Sequence, residues 1–159
     1  PKLVEKLADA GIAFTVTPNL RNAPVNGASR WLSSSKALIQ LSIRYRYNDI
    51  FWFSFFHELA HVFYHSKKEI NIDISNLARE DEDERLADEF AANTLVPEKE
   101  YAEFVSRQSF DFLAVRAFAK TIGVHTGIVV GRLQHDNHIA PISLNGLRDR
   151  FCWKNSRQK

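Results

Sequence analysis

The run His57-Glu58-Leu59-Ala60-His61, set inside an apolar stretch, constrains this chain more than any other feature. Phe51, Trp52, Phe55, Phe56, Leu59, Val62 and Phe63 surround it, and no proline or glycine interrupts the segment until past Ser66. A helix of this composition is expected to be deeply buried, with Asn48 or Asp49 as its cap. Histidine and glutamate inside such a helix need partners, because an unpaired polar or charged group is costly away from water. On a helix, His57 and His61 stand about 40° apart around the axis and one turn along it. Two imidazoles on one face can then share a single metal ion. Glu58 is a neighbour of that ion and not a ligand, the position a general base for a water nucleophile needs. The plainer alternative is a helix with two ordinary histidines and an exposed glutamate, which sits poorly with the apolar surroundings. Zinc-dependent hydrolysis is the first expectation.

Two histidines leave a catalytic zinc short of protein ligands, since such sites use three and keep one position open. The candidates lie between Arg79 and Ala91. Read as a helix, this stretch has an inward side marked by Leu86, Phe90 and Leu95, flanked by Ala87, Ala91 and Thr94. Asp83, Glu84 and Asp88 fall near that side, while Glu82, Arg85 and Glu89 point more toward solvent. An acidic run of this kind also suits a helix N-terminus through the macrodipole. Spacing alone does not choose one carboxylate.

The pattern His57-Glu58-x-x-His61-x-x-x-His65, then Glu84-x-x-Ala87-Asp88-x-Phe90-Ala91, then Leu95-x-Pro97, resembles the ImmA/IrrE family of zinc metallopeptidases. The resemblance implies Glu84 as the third zinc ligand. It implies Asp88 as the acceptor for the distal nitrogen of a zinc-bound histidine. Many members carry a second acid two residues after the first; here Leu86 takes that place and is expected to face the core. The stretches Gly27–Leu32, Ala37–Ser42 and Gly123–Gln134 resemble one branch of the family. Members of that branch are often the C-terminal half of proteins with an N-terminal helix-turn-helix, frequently antitoxin-like regulators of the HigA kind. At His125-Thr126 relatives more often have a small residue and proline, a departure expected to touch only the local turn.

This resemblance implies an α+β, zincin-like metallopeptidase fold. Its parts are a small N-terminal β-sheet, an HExxH helix, a second glutamate-bearing helix and a C-terminal segment like a helix-turn-helix. One domain is expected over residues 1–153, with a basic tail at 154–159. The implied substrate is a protein, a DNA-binding repressor or antitoxin-type regulator. An N-terminal DNA-binding domain is expected in the parent chain, and a start at Pro1 with no methionine anywhere reads as a piece of such a protein. An alternative keeps the zinc and drops the turnover, leaving a sensing or interaction module of an antitoxin-like transcriptional regulator. An intact HExxH with Glu84 argues against it, because a purely structural site needs neither Glu58 nor an open position.

Other residues are candidates for the site. His65 lies one turn beyond His61, too far along to complete the same tetrahedron easily. It could steady an oxyanion or a substrate carboxylate, or bond a backbone carbonyl. Tyr64 is a weaker candidate for that role and reads more naturally as packing. If Ser29–Leu32 is an edge strand beside the metal, its free backbone groups could hold an extended peptide, with Arg30 and Trp31 flanking the cleft. An ordinary edge strand with a buried tryptophan explains the same residues.

Composition agrees with one globular domain: 159 residues, 45% hydrophobic, with a net charge of only +2. That balance gives no strong reason to expect nucleic-acid binding, although the last residues are locally basic. Residues 112–133 read as a helix, a glycine turn and a helix. The second helix offers only Arg132 and Gln134 as base-reading side chains, so a buried structural pair is favoured and direct DNA contact is not expected. His125, His135 and His138 are read as surface or turn residues. A lone Cys152 suits a reducing cytoplasm and is expected to be partly buried. No run approaches a membrane span. The remaining order is a helix over 2–10 ended by Gly11, strands near Ile12–Val16, Ser29–Leu32 and Leu38–Ile43, an exposed loop from Lys67 to about Arg79, and a helix over Glu98–Arg107.

Overall fold

The computed structural model describes residues 2–18, 26–43, 45–64 and 77–152, with 77–81 described by backbone alone. The order is α1 (Lys2–Asp9), β1 (Ile12–Thr17), β2 (Gly27–Ser33), β3 (Lys36–Ser42), α2 (Asn48–Tyr64), α3 (Leu77–Leu95), α4 (Glu98–Ser106), α5 (Phe112–Ile122) and α6 (Thr126–His135). A short 3-10 turn, Asn145–Leu147, follows. This is the α+β class that the sequence led us to expect. His65 and residues 67–76 of the loop expected from Lys67 to about Arg79 lie outside the described residues, while 77–79 belong to α3 and not to a loop. The chain divides into two compact units, one of residues 1–44 and 52–95, the other of 45–51 and 96–159.

In the first unit the sheet order is β1-β3-β2, with β1 parallel and β2 antiparallel to β3. Side chains alternate between faces along each strand, and the register aligns Ile12 and Phe14 with Ala37 and Ile39, and Gly27 and Ser29 with Leu41 and Ile39. Ala37, Ile39 and Leu41 are buried, which makes this the core face. Phe14 projects from it to meet Phe55 of α2 edge-on, with ring centroids 5.4 Å apart. Because β2, like β1, pairs on one side alone among the described residues, it is an edge strand.

Two expectations about the helices need correction. Leu86 is 38% exposed and does not face the core. The inward stripe of α3 is Ala87 and Ala91, which are 1% and 0% exposed. Alanines one turn apart permit a closer approach than leucine would, so packing selected the small residues over the large one. Phe63, expected in the buried surface of α2, is 59% exposed, and its ring meets Phe90 of α3 edge-on. The burial of α2 is confined to Phe55, Glu58, Ala60 and Val62 in this unit.

The second unit is helical. Tyr101 and Phe104 of α4 are buried, as their spacing predicts, and Phe104 stacks flat on Phe118 of α5. Asp111 caps α5 by accepting from the amides of Leu113 and Ala114. Helices α5 and α6 are bent by 112° at their junction, within the range of a helix-turn-helix. Gly127 to Val130 and Leu133 of α6 are buried, so the pair is a packed structural element. Arg132 bonds Asp136, and Gln134 donates to the Ser143 carbonyl, which commits both polar side chains inside the unit. His125, read as a surface or turn residue, caps α6 by accepting from the Gly127 amide. Cys152 is exposed, against the expectation of partial burial. No single helix among the described residues is long and apolar enough to cross a membrane.

Asn48 and Asp49, expected as caps, are the first two residues of α2 itself. Both are buried in the second unit, where Asn48 bonds His125 at 2.7 Å and Asp49 takes both arms of Arg148, at 3.1 and 2.6 Å. Gly131 passes so close that a Cβ there would run into the Asp49 carboxylate. Removing one member of a buried pair strands the other charge. Asp49→Ala should therefore lower unfolding free energy by about 3 kcal/mol, measured by urea denaturation, and Asp49→Ala with Arg148→Met should recover part of the loss.

Candidate metal centre

Helix α2 carries His57 and His61 on one face, and α3 brings Glu84 and Asp88 to them. His57 Nε2 and His61 Nε2 are 3.0 Å apart. The two Glu84 oxygens lie 3.2 Å from them, Oε2 from His57 and Oε1 from His61. Ligands about 2.0–2.1 Å from a tetrahedral zinc stand roughly 3.3 Å from one another. The three separations observed here are near that length, with the two from Glu84 running to different oxygens of its carboxylate.

The hydrogen bonding sharpens the point. His57 Nδ1 lies 2.8 Å from Asp88 Oδ1, so in the neutral ring this nitrogen carries the proton and donates it. Nε2 is then bare, and its lone pair faces a carboxylate and a second imidazole nitrogen. A proton on His61 Nε2 or a cation between the groups satisfies this convergence. Asp88 thus holds the place of an outer partner that fixes ring and tautomer. The donor set of two imidazoles and one carboxylate suits zinc. The imidazoles are largely covered, 18% and 16% exposed, while the Glu84 carboxylate is 60% exposed, so the site opens on the carboxylate side.

Glu58, on the turn between the two histidines, is 8% exposed. Burial pushes its carboxyl above the ordinary carboxylate range; a hydrogen bond from Ser29 and the nearness of His57 pull it down, and Glu84 pushes it up again. A cleft runs beside this cluster, lined by residues 26–31 along β2 and by Phe53, Ser54, Val62 and the five residues just described. Arg30 and Trp31 both line it, but the strand's alternation puts their side chains on opposite faces of the sheet. Trp31 shares the face of Gly27 and Ser29; Arg30 is exposed on the other. Tyr64 is 57% exposed and meets Phe90 edge-on. Sequence reasoning missed Gly27 and Ser29. Ser29 opens the predicted strand Ser29–Leu32, and Gly27 falls two residues before it.

A family model described as the IrrE N-terminal-like domain matches residues 49–134, more than half of the chain. The chain belongs to that family. The match takes in α2 with its two histidines, α3 with Glu84 and Asp88, and the helices up to α6, while the sheet lies outside it. A peptidase-type, metallopeptidase-like domain is what membership implies. No curated protein and no solved structure matches the chain.

Since Asp88 orients His57 without contributing a ligand atom, Asp88→Ala should weaken zinc binding by about 10–100-fold. Competition against a chromophoric chelator measures this directly. Equal affinity in the variant would remove Asp88 from the site.

Proposed function

We propose that the chain is a zinc-dependent endopeptidase acting on a protein substrate, a DNA-binding repressor or antitoxin-type regulator, and so controlling transcription or a stress response. The observation that carries the hydrolytic part is the convergence of His57, His61 and Glu84 with Glu58 immediately beside them. The regulatory part is supported by the resemblance of the two helices and their flanking segments to regulators of that kind. A DNA-binding N-terminal partner domain in the parent chain belongs to the same reading.

Zinc bound there would supply the charge that polarises a water molecule and the scissile carbonyl. Glu58 takes the proton as the water oxygen bonds to the carbonyl carbon, and returns it to the amine nitrogen as the C–N bond breaks. A raised affinity of Glu58 for protons suits both steps, because one group must accept and then donate. Asp88 keeps the His57 ring in the tautomer that leaves Nε2 free. The edge strand β2, with Trp31 on the α2 side and Arg30 on the other, supports a substrate peptide in extended form. His65 remains a candidate for steadying the oxyanion.

Two variants test this reading. Glu84→Ala should reduce zinc from about one per chain to a small fraction by mass spectrometry, because a three-ligand site is left with two. Glu58→Gln should retain the metal and lose cleavage of a repressor-type substrate by about 10²–10⁴-fold. Full activity in Glu58→Gln would remove the general-base assignment. Zinc bound with equal, absent turnover in both wild type and Glu58→Gln would favour the sensing-module reading.

A further inference from the structure

Strand β2 bears on Glu58 in two ways. Gly27 sits so close that a Cβ there would lie 2.8 Å from both Cγ and Oε1 of Glu58. Two residues on, Ser29 faces the same side of the sheet and its hydroxyl donates to the Glu58 carboxylate. Glu58 is therefore seated over the strand, with a gap at Gly27 and a tether at Ser29.

The main chain of the same residues has a second property. The Ser42 amide donates to the Asn26 carbonyl at 2.8 Å. Antiparallel pairs alternate between bonded and non-bonded, so Ala28 and Arg30 bond inward to Gln40 and Leu38. Gly27 and Ser29 then turn their N–H and C=O groups to the open edge, on the side where no strand pairs among the described residues. Ser29 joins two functions that are otherwise far apart in the sequence: its side chain reaches the base and its backbone lies on the free edge of the cleft.

We infer that Ser29 is a positioning residue, which orients the Glu58 carboxylate from the edge strand, so that a chain added along β2 and the base that serves it are registered by one residue. The contact is a feature of the fold; its consequence for turnover rests on the peptidase reading above. Gly27 permits this seat because any side chain there would displace the carboxylate.

The test uses the zinc-loaded chain and the variants Ser29→Ala, Ser29→Thr and Glu58→Gln. The infrared carboxylate stretch of Glu58, isolated as the difference between each protein and its Glu58→Gln counterpart, reports the hydrogen bond directly. It should shift in Ser29→Ala and return to the wild-type position in Ser29→Thr. An unshifted band in Ser29→Ala overturns the inference whether or not the chain is a peptidase. On a library of internally quenched peptides, Ser29→Ala should lower kcat about tenfold with KM and zinc affinity unchanged, and Ser29→Thr should restore it. A shifted band with unchanged kcat overturns the positioning role. Absence of cleavage by the wild type counts against the peptidase reading, while the infrared result still decides the contact.

Discussion

Three electron-rich groups pointed at one place are the feature on which the rest of the first unit depends. Two imidazole nitrogens 3.0 Å apart, each 3.2 Å from an oxygen of the same carboxylate, need a proton or a cation between them. The surrounding structure fixes that arrangement. Asp88 fixes the tautomer that bares His57 Nε2, the Ala87 and Ala91 stripe lets α3 come close, and β2 closes the side where Glu58 lies.

Much of this was legible in the sequence because the decisive groups are local. His57 and His61 are one helical turn apart, so the helix period alone brings them together. The strands follow from alternation, and the pairing of β2 with β3 from a short polar turn between them. The third member of the candidate metal group was not legible from spacing, since Asp83, Glu84 and Asp88 share one region of α3 and only tertiary packing separates them. Family resemblance pointed to Glu84, and the geometry places that residue's oxygens against both rings. Leu86 misled because a large apolar residue usually marks the inward face, whereas a close helix approach is better served by alanine. Ser29 and Gly27 gave no signal as chemistry; their importance comes from register, which no pattern of residue types discloses.

The second unit shows the same division. Its helices, the caps at Asp111 and His125 and the turn at Gly123 are written locally. The pairing of Asp49 with Arg148 joins residues almost a hundred positions apart, and nothing in either neighbourhood announces it. Asp49 reads as a helix cap and Arg148 as part of a locally basic stretch until the fold buries them together. Gly131, which looks like a weak point in a helix, is the clearance that lets the carboxylate in.

The ligand atoms of the candidate centre come from two helices, with 22 residues between His61 and Glu84. A bound ion would close that span as a cross-link, and the entropy of bringing its ends together would be met by coordination and not by packing alone. Ion occupancy and the docking of α3 on α2 would then be one equilibrium. Under metal scarcity such a chain would lose its catalyst and loosen its helices in the same step, making metal supply a variable of folding as well as of chemistry.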